Sequence, residues 1–567
     1  MNFRPEHPKP QFERDSWLNL NGVWQFEIDH GNSGVAKRLF DSENDYSMHI
    51  NVPFCPQSSL SGVEYKDFMT SVWYKREFDI TSEQKNGLVF LHFGAVDYKS
   101  TVYINGKNAG SHVGGYVSFK LDITDLVKEG KNTLVLHAED DERNRLIPTG
   151  KQCEEYYSRG CHYTRTTGIW QTVWLEFCPK THIDSAKYYP NVADQSLTVI
   201  AKLVGKGTFT VSASFDGKDC GRVSAESDGG QAIVTLKLTE KHLWEVCKGG
   251  LYDLTLTYGE DTVKSYFGLR SIEYRDNKFY LNGKSVFQRL ILDQGFYPDG
   301  IYTAPSDAAL EGDIDLSMAM GFNGARLHEK IFEERFLYYA DKKGYLVWDE
   351  YPNWGLDHTY EDAIYGILPE WLEEMERDFN HPSIVGWCPF NETWDIKGRK
   401  QYDPLLVLVY NATKAVDPYR PCIDVSGGYH VVTDVYDVHD YDQNPESFKA
   451  HYHDERGKGY ASNGLCARQI RYDGKRPFFV SEYGGIRWSN KDGWGYGDAP
   501  KTEEEYLTRL KALTDVLLDD PEIFAYCYTQ LTDVEQEQNG LYTYDRSPKF
   551  PPEVIYPIFA KKAAVED

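Results

Sequence analysis

Residues 384–394 read IVGWCPFNETW. An apolar run, Ile384-Val385-Gly386-Trp387, has the length of a buried strand and leads into Asn391-Glu392, an amide and a carboxylate at the strand's end. Seven other segments share that form: VFQRLIL (286–292), FNGARLH (322–328), YLVWDEY (345–351), PCIDVS (421–426), VYDVHDY (435–441), PFFVSEYGG (477–485) and FAYCYTQL (524–531). Between several of them lie stretches with apolar residues at three-to-four spacing, such as DIDLSMAMG, EERFLYYADKKG and EEEYLTRLKALTDVLL, which read as helices. Eight β units with helical crossovers within residues 272–567 predict a (β/α)8 TIM barrel, whose active site forms at the C-terminal ends of its strands. Polar residues end these candidates: His328, Asp349-Glu350, Asn391-Glu392, Asp440-Tyr441 and Glu482-Tyr483.

Upstream the pattern is all-β. Residues 1–180 carry VWQFEI, VWYKREFDI, LVFLHFGAV, STVYING, NTLVLHAED and WQTVWLEF, separated by turns, and Asn105-Gly106 marks a tight hairpin. This predicts a jelly-roll. Residues 181–271 carry SLTVIAKLV, TFTVSASF, AIVTLKL and YDLTLTY, which suit an immunoglobulin-like β-sandwich. One continuous β-domain over both regions is the alternative. The expected chain is therefore multidomain, in the order jelly-roll, sandwich, barrel; its 567 residues are too many for a single core.

With 87 acidic against 61 basic residues, the net charge of −26 argues against nucleic acid or an anionic membrane as partner. No run approaches 18 apolar residues, so no membrane span is expected. The opening MNFRPEHPKP has no apolar signal region, which predicts a cytoplasmic protein. Ten cysteines without a Cys-x-x-Cys pair read as free thiols. His451 and His453 form a His-x-His on a polar loop, read as surface; no metal and no obligatory cofactor are expected. A homo-oligomer stays open. The 41 Tyr and 13 Trp can fill sandwich cores or stack on sugar rings.

Glu392 and Glu482 end the fourth and seventh strands, which face each other across a closed barrel. Glycosidic bond cleavage needs two flanking carboxyl groups, one protonated and one ionised. A lone strand-end Glu is usually a solvated side chain; two at these strands, each beside aromatics, suggest that pair. Asn391 would hold a sugar hydroxyl, and Tyr441 at the end of strand six could donate to Glu482. Trp354, Trp488 and Trp494 are candidates for stacking on a sugar, with core packing as the alternative for each.

WLNLNGVWQFEID, TTGIWQTVWLE, FYLNGKSVF, DKKGYLVWDE, FNETW and SEYGG occur in that order. Together they resemble glycoside hydrolase family 2, the group of β-galactosidases, β-glucuronidases and β-mannosidases. The resemblance implies Glu392 as general acid/base, Glu482 as nucleophile and a retaining reaction, whose carboxyl groups lie about 5–5.5 Å apart. The chain also departs from the family. Where relatives commonly carry Ser-His-Tyr-Pro it has Arg326-Leu327-His328-Glu329-Lys330; His328 either contacts a sugar hydroxyl or caps its strand. Asp293-Gln294 replace an Asn-Arg-His-type sequence. β-Glucuronidases clasp the sugar carboxylate with an Asn-x-Lys pair, where this chain has Glu537-Gln538-Asn539-Gly540. Glu537 in that place would repel a uronate, which favours a neutral sugar and an exo-acting, β-galactosidase-like enzyme. Arg487 and Lys491 are either a relocated anion clamp or a solvated loop. A uronidase with a non-standard clamp, a transglycosylase and a non-catalytic carbohydrate-binding protein are the alternatives.

Overall fold

The computed structural model describes residues 3–453 and 470–566. Its first region is a pair of antiparallel sheets. One orders Trp17–Asn19, Val173–Cys178, Leu88–Phe93 and Phe119–Asp122; the other orders Met48–Val52, Gly22–Ile28, Ser71–Ile80, Gly130–Glu139, Lys99–Ile104 and Lys107–Val113. Between them lies a core that includes Trp24, Phe26, Tyr74, Leu91, Leu136 and Leu175. Asn105 (φ 51°) and Gly106 (φ 76°) both take the left-handed conformation between Lys99–Ile104 and Lys107–Val113, as a two-residue hairpin turn requires.

Seven antiparallel strands follow in two sheets of three and four, from His182–Asn191 to Asp261–Gly268. Strand Gly230–Lys237 shows why they pack: Ala232, Val234 and Leu236 are buried while Ile233 between them is 61 % exposed. A small sheet, Ile272–Arg275, Lys278–Leu281 and Lys284–Ser285, then packs Phe279 and Leu281 into the barrel's interior cluster.

The barrel strands are parallel: Gln288–Asp293, Gly324–Leu327, Leu346–Glu350, Ile384–Cys388, Tyr436–Asp440, Phe478–Gly484 and Ile523–Thr529. Seven of the eight candidates are thus regular strands. The fifth, Pro421–Ser426, is held to strand four through single bridges, with Ile423 N donating to Trp387 O (3.0 Å) and Ser426 N to Phe390 O (2.8 Å). On its other side Ser426 Oγ donates to Asp437 Oδ2 (2.8 Å), so a side-chain bond closes the barrel where a ladder would. The pleat sorts the strands. In the third, Leu346 and Trp348 face the interior cluster, whereas Val347 and Tyr351 pack outward against the helices.

The jelly-roll reaches the barrel mouth through the segment 142–167. Thr149 N donates to Trp354 O (2.7 Å) and Tyr163 Oη to Glu537 Oε2 (2.5 Å). The nine described cysteines are free, and Cys466 lies outside the described residues. Among the described residues no helix is long and apolar enough to cross a membrane.

Candidate active site

Alternation along strand six turns Asp437, His439 and Tyr441 inward, because Tyr436 and Val438 take the outward positions in the helix-side core. Strand seven is registered so that Glu482 pairs with His439. Strand two contributes Arg326, fully buried, whose guanidinium organises the floor. It donates from Nη1 to Glu482 Oε1 (2.9 Å), from Nη2 to Asn391 Oδ1 (2.7 Å) and from Nε to Glu350 Oε2 (2.7 Å). Tyr441 Oη donates to the other Glu482 oxygen, Oε2, at 2.6 Å. Its ring lies flat on Tyr496, with centroids 3.4 Å apart. Burial alone would push the Glu482 carboxyl up. His439, Arg326, His328 and the Tyr441 hydroxyl outweigh that and hold it well below the usual carboxylate range. Glu482 is therefore ionised at neutral pH.

Glu392 sits across from it. A carboxylate oxygen of each residue and His439 Nδ1 all lie within 4.8 Å of one another. Glu392 is held at φ 46°, a left-handed conformation unusual for a residue with a side chain, by its N–H donating to Ser426 O (2.8 Å). His439 Nδ1 is 2.6 Å from Glu392 Oε1 and 3.3 Å from Glu482 Oε2. Asn391, oriented by Asn353 Oδ1 accepting from its N–H (2.6 Å), keeps Nδ2 without a partner among the described residues.

The other expected residues divide. His328 reaches the floor, Nδ1 2.9 Å from Glu350 Oε1 and 3.9 Å from Glu482 Oε1. Burial and Lys151 push its pKa down despite Glu350. Trp354 lines a cleft of about 570 Å³ that also contains Glu392, His162, Tyr360 and Trp394, and its Nε1 donates to Asn391 O (3.2 Å). Glu537 is buried near the pair, accepting from Tyr163 and from Asn539 Nδ2 (3.0 Å); burial raises its pKa against the opposing Lys151, Tyr163 and Asn539. Gln294 Nε2 donates to Tyr163 Oη (2.8 Å), and Asp293 Oδ1 accepts from Gly295 N (2.9 Å).

Trp488 goes elsewhere. It packs against Tyr506 and Phe550, which is the core option rather than sugar stacking. Arg487 Nη2 donates to Lys491 O (3.0 Å), and Lys491 is exposed. His451 Nδ1 is bound at 2.8 Å to Asp440 Oδ2, and the side chain of His453 lies outside the described residues.

Four residues that complete the site carry no role in the sequence reading. Arg326 and His439 stand at inward positions of recognised strands, so strand alternation was the available signal. Tyr496 and Lys151 come from loops far from the motifs. Lys151, on the jelly-roll segment, is buried with Nζ 3.6 Å above the Trp354 ring and no hydrogen-bond acceptor among the described residues. Burial works against its charge, but Cys161, Glu329, Glu392 and Glu537 together outweigh it and raise its pKa. By distance alone Glu392, His439 and Glu482 could surround a cation, and Arg326 Nη1 already supplies positive charge to Glu482.

Residues 18–142 match the family model for the sugar binding domain of glycosyl hydrolases family 2, and residues 272–506 that for its TIM barrel domain. A putative β-glucuronidase of Formosa agariphila is 31 % identical over 341 residues, 57 % of this chain and 40 % of that protein. A β-galactosidase of Thermoanaerobacter pseudethanolicus is 28 % identical over 404 residues, 67 % of this chain and 51 % of that protein. The chain thus spans well under two thirds of either relative. The structure of a β-glucuronidase from Ruminococcus gnavus in complex with D-glucuronic acid superimposes with a TM-score of 0.79 at 19 % identity, over 99 % of this chain and all of that one. At that identity the likeness establishes the shared fold.

Proposed function

Because this chain belongs to glycosyl hydrolase family 2, we propose that it is a retaining, exo-acting β-glycosidase with Glu482 as nucleophile and Glu392 as acid/base. The observation that carries the reading is the closeness of the pair: an oxygen of each carboxylate lies within 4.8 Å of the other, which suits a retaining pair, whose carboxyls lie about 5–5.5 Å apart. In the first step Glu392 gives a proton to the leaving oxygen as Glu482 attacks the anomeric carbon. In the second, Glu392 takes a proton from water, whose oxygen displaces Glu482. Asn391 Nδ2 would hold a sugar hydroxyl beside the reacting carbon, and Tyr441 steadies Glu482 as an anion. Proton NMR of the first-formed sugar from an aryl β-glycoside tests this. Retention of the β-anomer is expected, and an inverted product would overturn it. A non-catalytic binding protein would release no aryl group at all.

For the sugar, two readings remain, each with its own observation. Glu537 in the place of the uronate clamp favours a neutral β-galactoside. Its repulsion of a carboxylate weakens, however, because burial favours the uncharged form of Glu537 and Tyr163 and Asn539 already engage it. Lys151 favours a β-glucuronide, since a buried ammonium near Glu392 and Glu537 without a protein acceptor can pair with a sugar carboxylate. Similarity to proteins named β-glucuronidase supports this second reading, which is the better supported of the two. Comparing kcat/KM for nitrophenyl β-glucuronide and β-galactoside in the wild type and in Lys151→Met decides. A glucuronide preference of tenfold or more that vanishes in the variant supports the uronide. A galactoside preference that the variant leaves unchanged restores the neutral sugar.

A further inference from the structure

His439 occupies a place that the two-carboxylate reaction does not by itself explain. Its ring is fully buried, with one nitrogen facing both glutamates and the other facing the opposite wall. Nε2 lies 3.0 Å from Ser426 Oγ, and that hydroxyl in turn donates to Asp437 Oδ2 at 2.8 Å. Asp437 is anchored further back: Gly427 N donates to the same oxygen (3.1 Å), and His430 Nε2 lies 3.1 Å from Oδ1. The other nitrogen of His430 is bound to Asp424 Oδ1 at 2.7 Å. Gly427, at φ 62°, presses its bare Cα on the ring; a Cβ there would come within 2.3 Å of His439 Cγ. The imidazole has no freedom to turn.

This chain favours one tautomer. With the Ser426 proton on the Asp437 carboxylate, or on Ser481 Oγ at 3.2 Å, Ser426 Oγ is the acceptor for Nε2–H. Nδ1 must then face Glu392 either as a lone pair receiving the Glu392 proton or as N–H⁺ donating to its carboxylate. We infer that His439 is a positioning residue that shares the acid/base proton with Glu392, so that one proton resides between Nδ1 and Oε1 in the resting enzyme. This rests on the roles proposed above for Glu392 and Glu482.

The charges around the ring support the sharing. Glu392 faces it from strand four, Glu482 from strand seven, Arg326 from strand two and Asp437 from its own strand, with Ser426 as the neutral wall on strand five. Burial and Arg326 oppose the imidazolium, but the two glutamates outweigh them and raise the His439 pKa. When Glu482 forms its ester to the sugar, one of those two anions disappears, and the proton is released toward Glu392 and the leaving oxygen. The anomeric carbon–oxygen bond breaks as the bond to Glu482 forms, which leaves Glu392 ionised and His439 neutral. Water then protonates the Glu392–His439 pair as its oxygen displaces Glu482. The summed charge of the three groups is minus one before and after each step, so no net charge is created inside the barrel.

Two measurements test this on the whole 567-residue chain. The first needs no turnover: nitrogen NMR of ¹⁵N-histidine-labelled protein, with the His439 signal assigned by its loss in His439→Gln. In the wild type Nδ1 should stay protonated or shared at pH 7.5, and its titration should move to lower pH in Glu392→Gln and in Glu482→Gln. A His439 that titrates near the ordinary histidine value of about 6.5 in all three proteins would overturn the sharing, whether or not the chain is a glycosidase. The second uses the pH profile of kcat/KM in His439→Gln. A methyl β-glycoside, whose leaving group needs a proton, should lose about 100-fold, with the basic limb moved at least about one pH unit toward acid. A dinitrophenyl glycoside of the same sugar should stay within about fivefold. Equal losses on both substrates with an unmoved basic limb would make His439 a packing residue only.

Discussion

Asp349 and Glu350 are neighbours on the third barrel strand, both with no solvent exposure, and they end in opposite states. The pleat sends Glu350 into the barrel, to Arg326 and to His328 Nδ1 at 2.9 Å. Burial opposes its charge, but the Arg326 guanidinium and then His328 outweigh it and hold its pKa down at about 2. Asp349 points outward to the helix Ala363–Asp378, where Glu374 and Asp378 sit one turn apart on the buried stripe. There burial and the neighbouring Asp378 raise the Asp349 pKa well above the ordinary value, with Arg377 too little to reverse it. Glu374 is raised too, by burial and then by Asp349, and neither of its oxygens has a hydrogen-bond partner among the described residues. Burial sets the cost of a charge, and the partner decides whether the charge is kept. The inner cluster keeps its anions because one buried guanidinium reaches Glu350, Glu482 and Asn391 together; Asp349 and Glu374 keep their protons instead.

The largest expected difference between the clusters is catalytic. Glu482→Gln should lower kcat by at least about 10⁴-fold, because binding alone does not replace a nucleophile. Glu374→Gln, on the outer face, should stay within about threefold. A comparable loss in both variants would mean that the outer cluster shapes the site and that the division by strand face fails.

Next comes Arg326→Met, which leaves Glu350 and Glu482 buried without their cation. Breaking a buried ion pair from one side costs about 3–5 kcal/mol, so both a large drop in thermal midpoint and a loss of activity of about 10²-fold or more are expected. Adding Glu350→Gln should restore much of the stability but not the activity, since Glu482 still lacks its partner. Stability that does not recover in the double variant would show that Arg326 acts by packing rather than by charge.

How far the sequence could reach follows the same division. Strand ends were legible because apolar runs stop abruptly at polar residues, which put Asn391, Glu392, Tyr441 and Glu482 at the ends of their strands. Inward residues one or two pleats below the end were not singled out, although Arg326 and His439 stood inside segments already recognised as strands. Lys151 and Tyr496 were beyond reach, since nothing local to them signals that the jelly-roll segment and the loop after strand seven fold over the barrel. Trp488 shows the converse: an aromatic next to SEYGG is local in sequence, yet Tyr506 and Phe550 offer it an apolar surface. The fifth strand was readable as an apolar run but not as an irregular one, because the Ser426–Asp437 bond that stands in for its ladder depends on the neighbouring strand.

The two clusters should also pull stability in opposite directions with pH. Glu350 and Glu482 have folded pKa values below their unfolded ones. Their contribution is present above the ordinary carboxylate value, about 4.3, and is lost as pH falls toward about 2 for Glu350. Urea unfolding between pH 5 and pH 3 should therefore show a steep decline that Glu350→Gln makes shallower. A slope unchanged in that variant would place the acid sensitivity elsewhere.

The smallest effect is the alkaline one. Asp349 and Glu374 bind protons more tightly folded than unfolded, so their contribution is complete below the unfolded value, about 4, and declines as pH rises through the folded value. Each pH unit in that window costs about 1.4 kcal/mol for one fully displaced proton. Glu374→Gln removes one of these protons from the balance and relieves Asp349 of a neighbouring charge. The variant should match the wild type at pH 5 and be the more stable of the two at pH 8.5. A shared proton between Asp349 and Asp378 would survive the substitution, and part of the alkaline slope with it. If Glu374→Gln is instead destabilised equally at both pH values, the outer acids are paired as well as the inner ones. Strand face would then not be what separates Asp349 from Glu350.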